Sequence, residues 1–212
     1  MTHFADRSAT RHLASFAAAA ALFAGCTAGT AATTAKGGGA LVATLHPVNP
    51  ATGEVDTRID LGTVRFTQGN GKVDVLAQLQ GVSIAGQEPR GIAGDGQGVY
   101  YPHGIHVHEG SSCGPTTVDG KTVPAGAAGP HFDPAKTNSH KGPTGDGHAG
   151  DLPNVQVVSD GSGMLMSSTT RFTLDQIKGR TVILHANPDN YTDTPPNGGS
   201  GARIACGVIV AE

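Results

Sequence analysis

The sequence predicts an all-β fold of eight short strands, arranged as a Greek-key sandwich or flattened barrel with long loops. Three observations carry this expectation. Short Val, Ile and Leu runs recur along residues 40–210, and none reaches helical length. Turn residues separate them: Gly occurs 32 times and Pro 13 times in 212 residues, too often for long helices. Several runs alternate apolar with polar side chains, the period of a strand buried on one face.

Residues 40–48 (ALVATLHPV) and 62–67 (GTVRFT) are the first two strands, parted by turn residues at 49–53. Asn70-Gly71 turns the chain into a third at 72–82. There Val73, Val75, Ala77 and Leu79 alternate with Asp74, Gln78 and Gln80, and only Leu76 interrupts the polar set. A fourth strand is expected at 99–108 (VYYPHGIHVH). Residues 109–154 then run in Gly, Pro, Ser, Thr and Asp with almost no apolar periodicity, and so long a loop needs something to pin it. Strands return at 155–159, 164–173, 181–186 and 203–210, with one helical turn at 174–178 (LDQIK). No internal repeat is evident, and residues 40–212 are expected to form one domain.

Composition removes other classes. Fourteen Lys+Arg face 17 Asp+Glu, so there is no basic excess to neutralise phosphates and no nucleic-acid partner is expected. Gly and Pro also exclude a long coiled coil. Arg7 and Arg11 precede the apolar run 13–25 (LASFAAAAALFAG), an n-region and h-region of secretory length, too short to span a bilayer. Residues 1–25 are therefore expected to be a signal peptide. Leu22-Phe23-Ala24-Gly25-Cys26 resembles a lipobox, with Phe23 where Leu is usual, and makes Cys26 a lipidation candidate. The alternative is ordinary cleavage near Ala24 or Ala32. Residues 26–39 form a flexible tether of small residues. With Cys26 set aside, Cys113 and Cys206 are an even pair, read as a disulfide in an exported chain. Closing a loop of about 93 residues, it stabilises by roughly 4–5 kcal/mol on the chain-entropy model.

The chemistry lies in the histidines. His3 and His12 fall in the leader, and His46, His103, His106, His108, His131, His140, His148 and His185 remain. His106-Val107-His108 puts two imidazoles on one face of a strand, where both reach one metal. His131, His140, His148 and Asp151 all lie in the long loop, and three imidazoles with one carboxylate suit tetrahedral zinc. Metal binding would offset the loop's ordering entropy. His185 ends the apolar run Val182-Ile183-Leu184, a ligand on a rigid element. Imidazole-rich ligation also suits copper.

The blocks HGIHVHE (103–109) before Cys113, GPHFDP (129–134), HKGP (140–143), HAGDLP (148–153), His185 and GARIACGVI (201–209) together resemble the copper/zinc superoxide dismutases, most closely their exported bacterial branch. The resemblance covers residues 40–212. It implies an eight-stranded Greek-key barrel with long metal-binding and electrostatic loops. Copper would be bound by His106, His108, His131 and His185, and zinc by His131, His140, His148 and Asp151, with the imidazolate of His131 shared. Asp189 would link His106 to His140, Arg203 would hold the anionic substrate, and Cys113 and Cys206 would form the intrasubunit disulfide. The implied reaction converts superoxide to oxygen and hydrogen peroxide by alternating Cu(II) and Cu(I), with Arg203 and His131 as its catalytic residues.

The chain departs from the family pattern in places. Ile105 stands for the common Phe, Asp133 for a frequent Asn, and residues 186–202 contain no Lys. Lys121, Lys136 or Lys141 are the remaining candidates for steering charge. Residues 86–98 form an enlarged loop with no assigned role. His46 and His103 have no ligand role in the family and are expected to be structural, as Tyr100 and Tyr101 are expected to be packing residues. The alternative function is a non-catalytic copper/zinc-binding module or copper chaperone, which typically lacks a copper ligand or the arginine. A copper-only dismutase would lack His140, His148 or Asp151. A zinc hydrolase would need an open zinc position. The partner expected is superoxide, with a membrane engaged only through the lipid anchor, the chain a homodimer or monomer, and its location membrane-anchored, periplasmic or cell-surface.

Overall fold

The computed structural model describes residues 39–89 and 98–212. The expected signal peptide, Cys26 and most of the expected tether and of the loop at 86–98 lie outside the described residues. The strands are β1 (Ala40–Thr44), β2 (His46–Pro47), β3 (Gly62–Gln68), β4 (Val73–Leu79), β5 (Tyr100–His103), β6 (Ile105–His108), β7 (Thr116–Val118), β8 (Lys121–Val123), β9 (Val155–Val158), β10 (Gly163–Thr169), β11 (Thr181–His185), β12 (Arg203–Val208) and β13 (Val210–Ala211). Among the described residues one α-helical turn, α1, spans Leu174–Ile177.

Two antiparallel sheets enclose the core, in the orders β13-β1-β3-β4-β10-β9-β5 and β2-β12-β11-β6. The period-2 reading of β4 holds: Val73, Val75, Ala77 and Leu79 are buried, and Asp74 and Gln78 are exposed. These side chains join Val64, Phe66, Ile105, Val107, Val157, Val182 and Leu184 in one cluster between the sheets. Phe66 meets Phe172 edge to face at 6.2 Å. A fully buried side chain of this size is worth about 1.5–3 kcal/mol by area removed from water.

Eight strands were expected, and three of them bend. Each of the runs 40–48, 99–108 and 203–210 starts in one sheet and ends in the other, the corners falling at Leu45, Gly104 and Ile209. Strands that switch sheets in this way close a sandwich toward a barrel. The corners at Leu45 and Ile209 are hidden in the sequence because both residues are fully buried and the apolar pattern continues through them. Gly104 has a steric reason: a Cβ there would strike the Ser200 side chain and crowd His106 Cε1. Pro47 and Pro102 are tolerated because β2 and β5 are edge strands.

Two further boundaries differ. The strand expected at 164–173 stops at Thr169, and Thr173 becomes the N-terminal cap of α1, its N–H donating to Gln176 Oε1 (2.9 Å). The stretch 109–154 is not wholly irregular, since β7 and β8 pair as a hairpin. Its turn is Asp119-Gly120, both at positive φ (49° and 72°), the backbone that a two-residue hairpin turn requires.

Candidate metal centre

The edge strand β6 has β11 on one side, with Ile183 opposite His106 and Thr181 opposite His108. Its other side is covered by backbone from the long loop. Val107 N–H donates to Gly150 O (3.0 Å), Phe132 N–H to Val107 O (2.9 Å) and Gly150 N–H to Phe132 O (2.9 Å). This three-way lattice places His131 against His108 and Asp151 against His106. His185 arrives at the end of β11, at a break in register after Leu184, and its N–H donates to Gly104 O (2.8 Å).

The result is two adjoining donor sets. His106, His108, His131 and His185 each offer an atom within 4.8 Å of the others, as do His131, His140, His148 and Asp151. His131 belongs to both. The structure therefore brings together every residue that sequence reasoning nominated as a ligand. His140, His106 and Asp189 form a third group. His106 Nε2–H donates to Asp189 Oδ2 and His140 Nε2–H to Oδ1, each at 2.8 Å, so Asp189 joins one ring of each set.

In His106, His108, His140 and His185 a hydrogen bond on one ring nitrogen leaves the other facing its set. His108 Nδ1–H donates to Gly129 O (2.9 Å) and His185 Nδ1–H to Gly201 O (3.2 Å). Their Nε2 atoms then face each other at 3.4 Å. In neutral rings these are two lone pairs pointed together, an arrangement a cation between them would stabilise. In the second set His140 Nδ1, His148 Nδ1 and Asp151 Oδ2 are buried without a hydrogen-bond partner, and so is His106 Nδ1 in the first. His140 Nδ1 and Asp151 Oδ2 lie 3.0 Å apart without hydrogen-bond alignment. Buried polar atoms orphaned in this way are costly. The donors fit two metal ions, one ringed by imidazoles and one completed by a carboxylate.

The electrostatics agree. Burial drives His108 and His185 well below the usual imidazole pKa, with Arg203 and neighbouring imidazoles adding to it. Burial, then the neighbouring His106, lowers His131 to about 3 against the pull of Asp151. Such rings stay neutral and free to bind a metal. His140 is the exception. Burial would lower it, but Asp151 and Asp189 together hold it up to about 9. Burial would raise Asp151 and Asp189, but the histidines beside them hold both below the carboxylate range.

A cleft of about 420 Å³ opens onto the first set, lined by His108, His131, His185, Pro195, Ser200 and Arg203 among others. Arg203 is fixed there by Nη1 donating to Ala125 O and Nη2 to Gly129 O, each at 2.6 Å. Neither Lys121, Lys136 nor Lys141 lines this cleft. Cys113 and Cys206 are disulfide-bonded, with Cα atoms 5.8 Å apart, tying the long loop to β12. His103 is fully buried and donates from Nδ1 to His185 O (2.7 Å), while His46 meets Ile59 O on the surface. Sequence reasoning missed Asn154, whose side chain bonds both the N–H and the C=O of Asp189. No motif marks it, because it acts on backbone.

The family model for copper/zinc superoxide dismutase matches residues 60–209, and the chain belongs to that family. A Cu-Zn superoxide dismutase of Brucella abortus biovar 1 (strain 9-941) is 52% identical over 112 residues, 50% of this chain and 63% of that protein. Those of Legionella pneumophila and Escherichia coli (strain K12) are 45% and 47% identical, covering 62% and 63% of their lengths. The matched stretch thus spans less than two thirds of these curated relatives. The solved Cu/Zn superoxide dismutase from Brucella abortus superposes with a TM-score of 0.67 and 35% identity, covering 80% of this chain and 98% of that one.

Proposed function

We propose that this chain binds one copper and one zinc ion and disproportionates superoxide. Two superoxide anions and two protons become oxygen and hydrogen peroxide, one anion being oxidised and the other reduced. The observation that carries this is His131, common to both donor sets, at the wall of a cleft that also holds Arg203. Copper would be held by His106 Nδ1 and by Nε2 of His108, His131 and His185. Zinc would be held by Nδ1 of His131, His140 and His148 and by the Asp151 carboxylate. Bound copper supplies a reversible one-electron couple beside a redox-silent zinc.

The residues supply the rest. Arg203, always protonated, presents a fixed positive charge where a small anion enters, and its two carbonyl anchors keep the guanidinium from swinging away. A local positive cleft attracts an anion even in an acidic chain. His131 can hold a proton at Nε2 and pass it to the reduced oxygen. Asp189 fixes the tautomers of His106 and His140, as outer carboxylates do for metal-bound histidines. Full-length chain loaded with one equivalent of each metal should consume superoxide rapidly in the presence of a chelator that silences free copper. No consumption by a chain that holds both ions would instead favour a non-catalytic copper/zinc-binding module.

The relatives' named activity, the apolar leader and the Cys113–Cys206 pair support an exported enzyme, lipidated at Cys26. Intact mass of the mature chain from a membrane fraction tests this. A diacylglyceryl Cys26 terminus is expected, and a soluble chain cut near Ala24 or Ala32 would overturn it.

A further inference from the structure

Two residues outside both donor sets grip the backbone that carries two of the zinc ligands. Residues 139–148 close on themselves, His148 N–H donating to Ser139 O (2.9 Å), so His140 and His148 sit side by side at the neck of one loop. The neck is tight, since a Cβ at Gly147 would strike Ser139 O and crowd Lys141 N.

Asp193, from the segment between β11 and β12, holds one limb of the neck. Its Oδ1 accepts His140 N–H (2.5 Å), and Oδ2 accepts Ser139 Oγ–H (3.0 Å) and Lys141 Nζ (2.8 Å). One carboxylate thus fixes three consecutive residues. The ion pair with Lys141 is nearly half exposed and by itself worth little. The bond to the His140 amide sets the limb's position.

Arg171, just after β10, holds the other limb. Its Nη2 donates to Gly147 O (2.5 Å) and His148 O (3.0 Å), and its Nε is buried without a partner. One amino group of the guanidinium thus holds both carbonyls of the neck.

We propose that Asp193 and Arg171 are positioning residues that preset His140 and His148 for zinc. They differ from Asp189, which bonds the ligand rings: these two bond the backbone on either side of the ring-bearing carbons. A loop ordered in advance pays less conformational entropy when the ion arrives, so losing either grip weakens binding without removing a ligand. The inference rests on the zinc reading above.

The test uses full-length chain freed of metal and titrated with Zn²⁺ against a chromophoric chelator, with Co²⁺ as a spectroscopic stand-in. Asp193→Ala and Arg171→Met should each weaken zinc about tenfold, within the range known for outer partners of metal ligands. Their Co²⁺ absorption bands should lose intensity or shift. Asp193→Asn keeps an oxygen for the His140 amide, and Arg171→Lys keeps a donor for the carbonyls, so both should recover most of the affinity. Unchanged zinc affinity in both Asp193→Ala and Arg171→Met, even with lowered stability of the metal-free chain, would overturn the proposal. Failure of the unaltered chain to bind Zn²⁺ tightly would overturn it together with the zinc reading.

Discussion

Arg203 and His131 do different work, and substitution separates them. Arg203 touches backbone carbonyls and the cleft but belongs to neither donor set. Arg203→Ala should leave both metals bound and slow superoxide consumption at low ionic strength by about tenfold, the low end of electrostatic steering effects. Metal analysis and pulse radiolysis on one preparation check this, and an unchanged rate constant would remove the role assigned to the arginine. His131→Ala takes a donor from both sets, so the content of both metals should fall. Loss of one metal alone would argue against a shared ring. Residue chemistry was the most legible level of this protein. His106-Val107-His108 and the ordered blocks after it announce ligands because a ligand's side chain does the binding. Asn154 and Arg171 were illegible as contacts because each acts on peptide groups, and so was the bond of Asp193 to the His140 amide; a peptide group has no residue identity to read.

Among the elements, the bent strands matter most for the site. The corner at Gly104 divides β5 from β6 and turns His106 and His108 toward β11 and the long loop. Gly104→Ala would push into Ser200 beside the cleft, and overpacking of this kind costs about 1–3 kcal/mol. Urea unfolding should show that loss, and an unchanged midpoint would mean that the corner yields freely. Strand β4 was legible because one face is buried and the other wet, so the pattern has period 2. The corners were not, because Leu45 and Ile209 face the core while the chain passes from one sheet to the other. The β7–β8 hairpin did leave a signal in Asp119-Gly120, masked by its exposed strands, which lack an alternating pattern.

For the whole molecule, the centre is a cluster of polar groups that the metal-free fold holds at some cost. His108, His131 and His185 have folded pKa values below the ordinary 6.5, His131 at about 3. As pH falls below about 6.5 the unfolded chain takes up their protons first, so these groups subtract stability on acidification. His140, raised to about 9, works oppositely: its contribution is full below 6.5 and fades as pH rises toward 9. Asp151 and Asp189 contribute above the ordinary carboxylate range and lose that contribution on deeper acidification. With His103 also lowered by burial, four lowered histidines stand against one raised, so the metal-free chain should be less stable at pH 4.5 than at pH 7, as read by urea midpoints. Equal midpoints would contradict the burial of neutral rings.

In the proposed enzyme one imidazole serves two ions. Anomalous diffraction at the copper and zinc edges, from crystals of the metal-loaded chain, decides this. One copper peak is expected beside Nε2 of His131 and one zinc peak beside Nδ1 of the same ring. A single metal peak, or two peaks with the ring of His131 bound to neither, would contradict it.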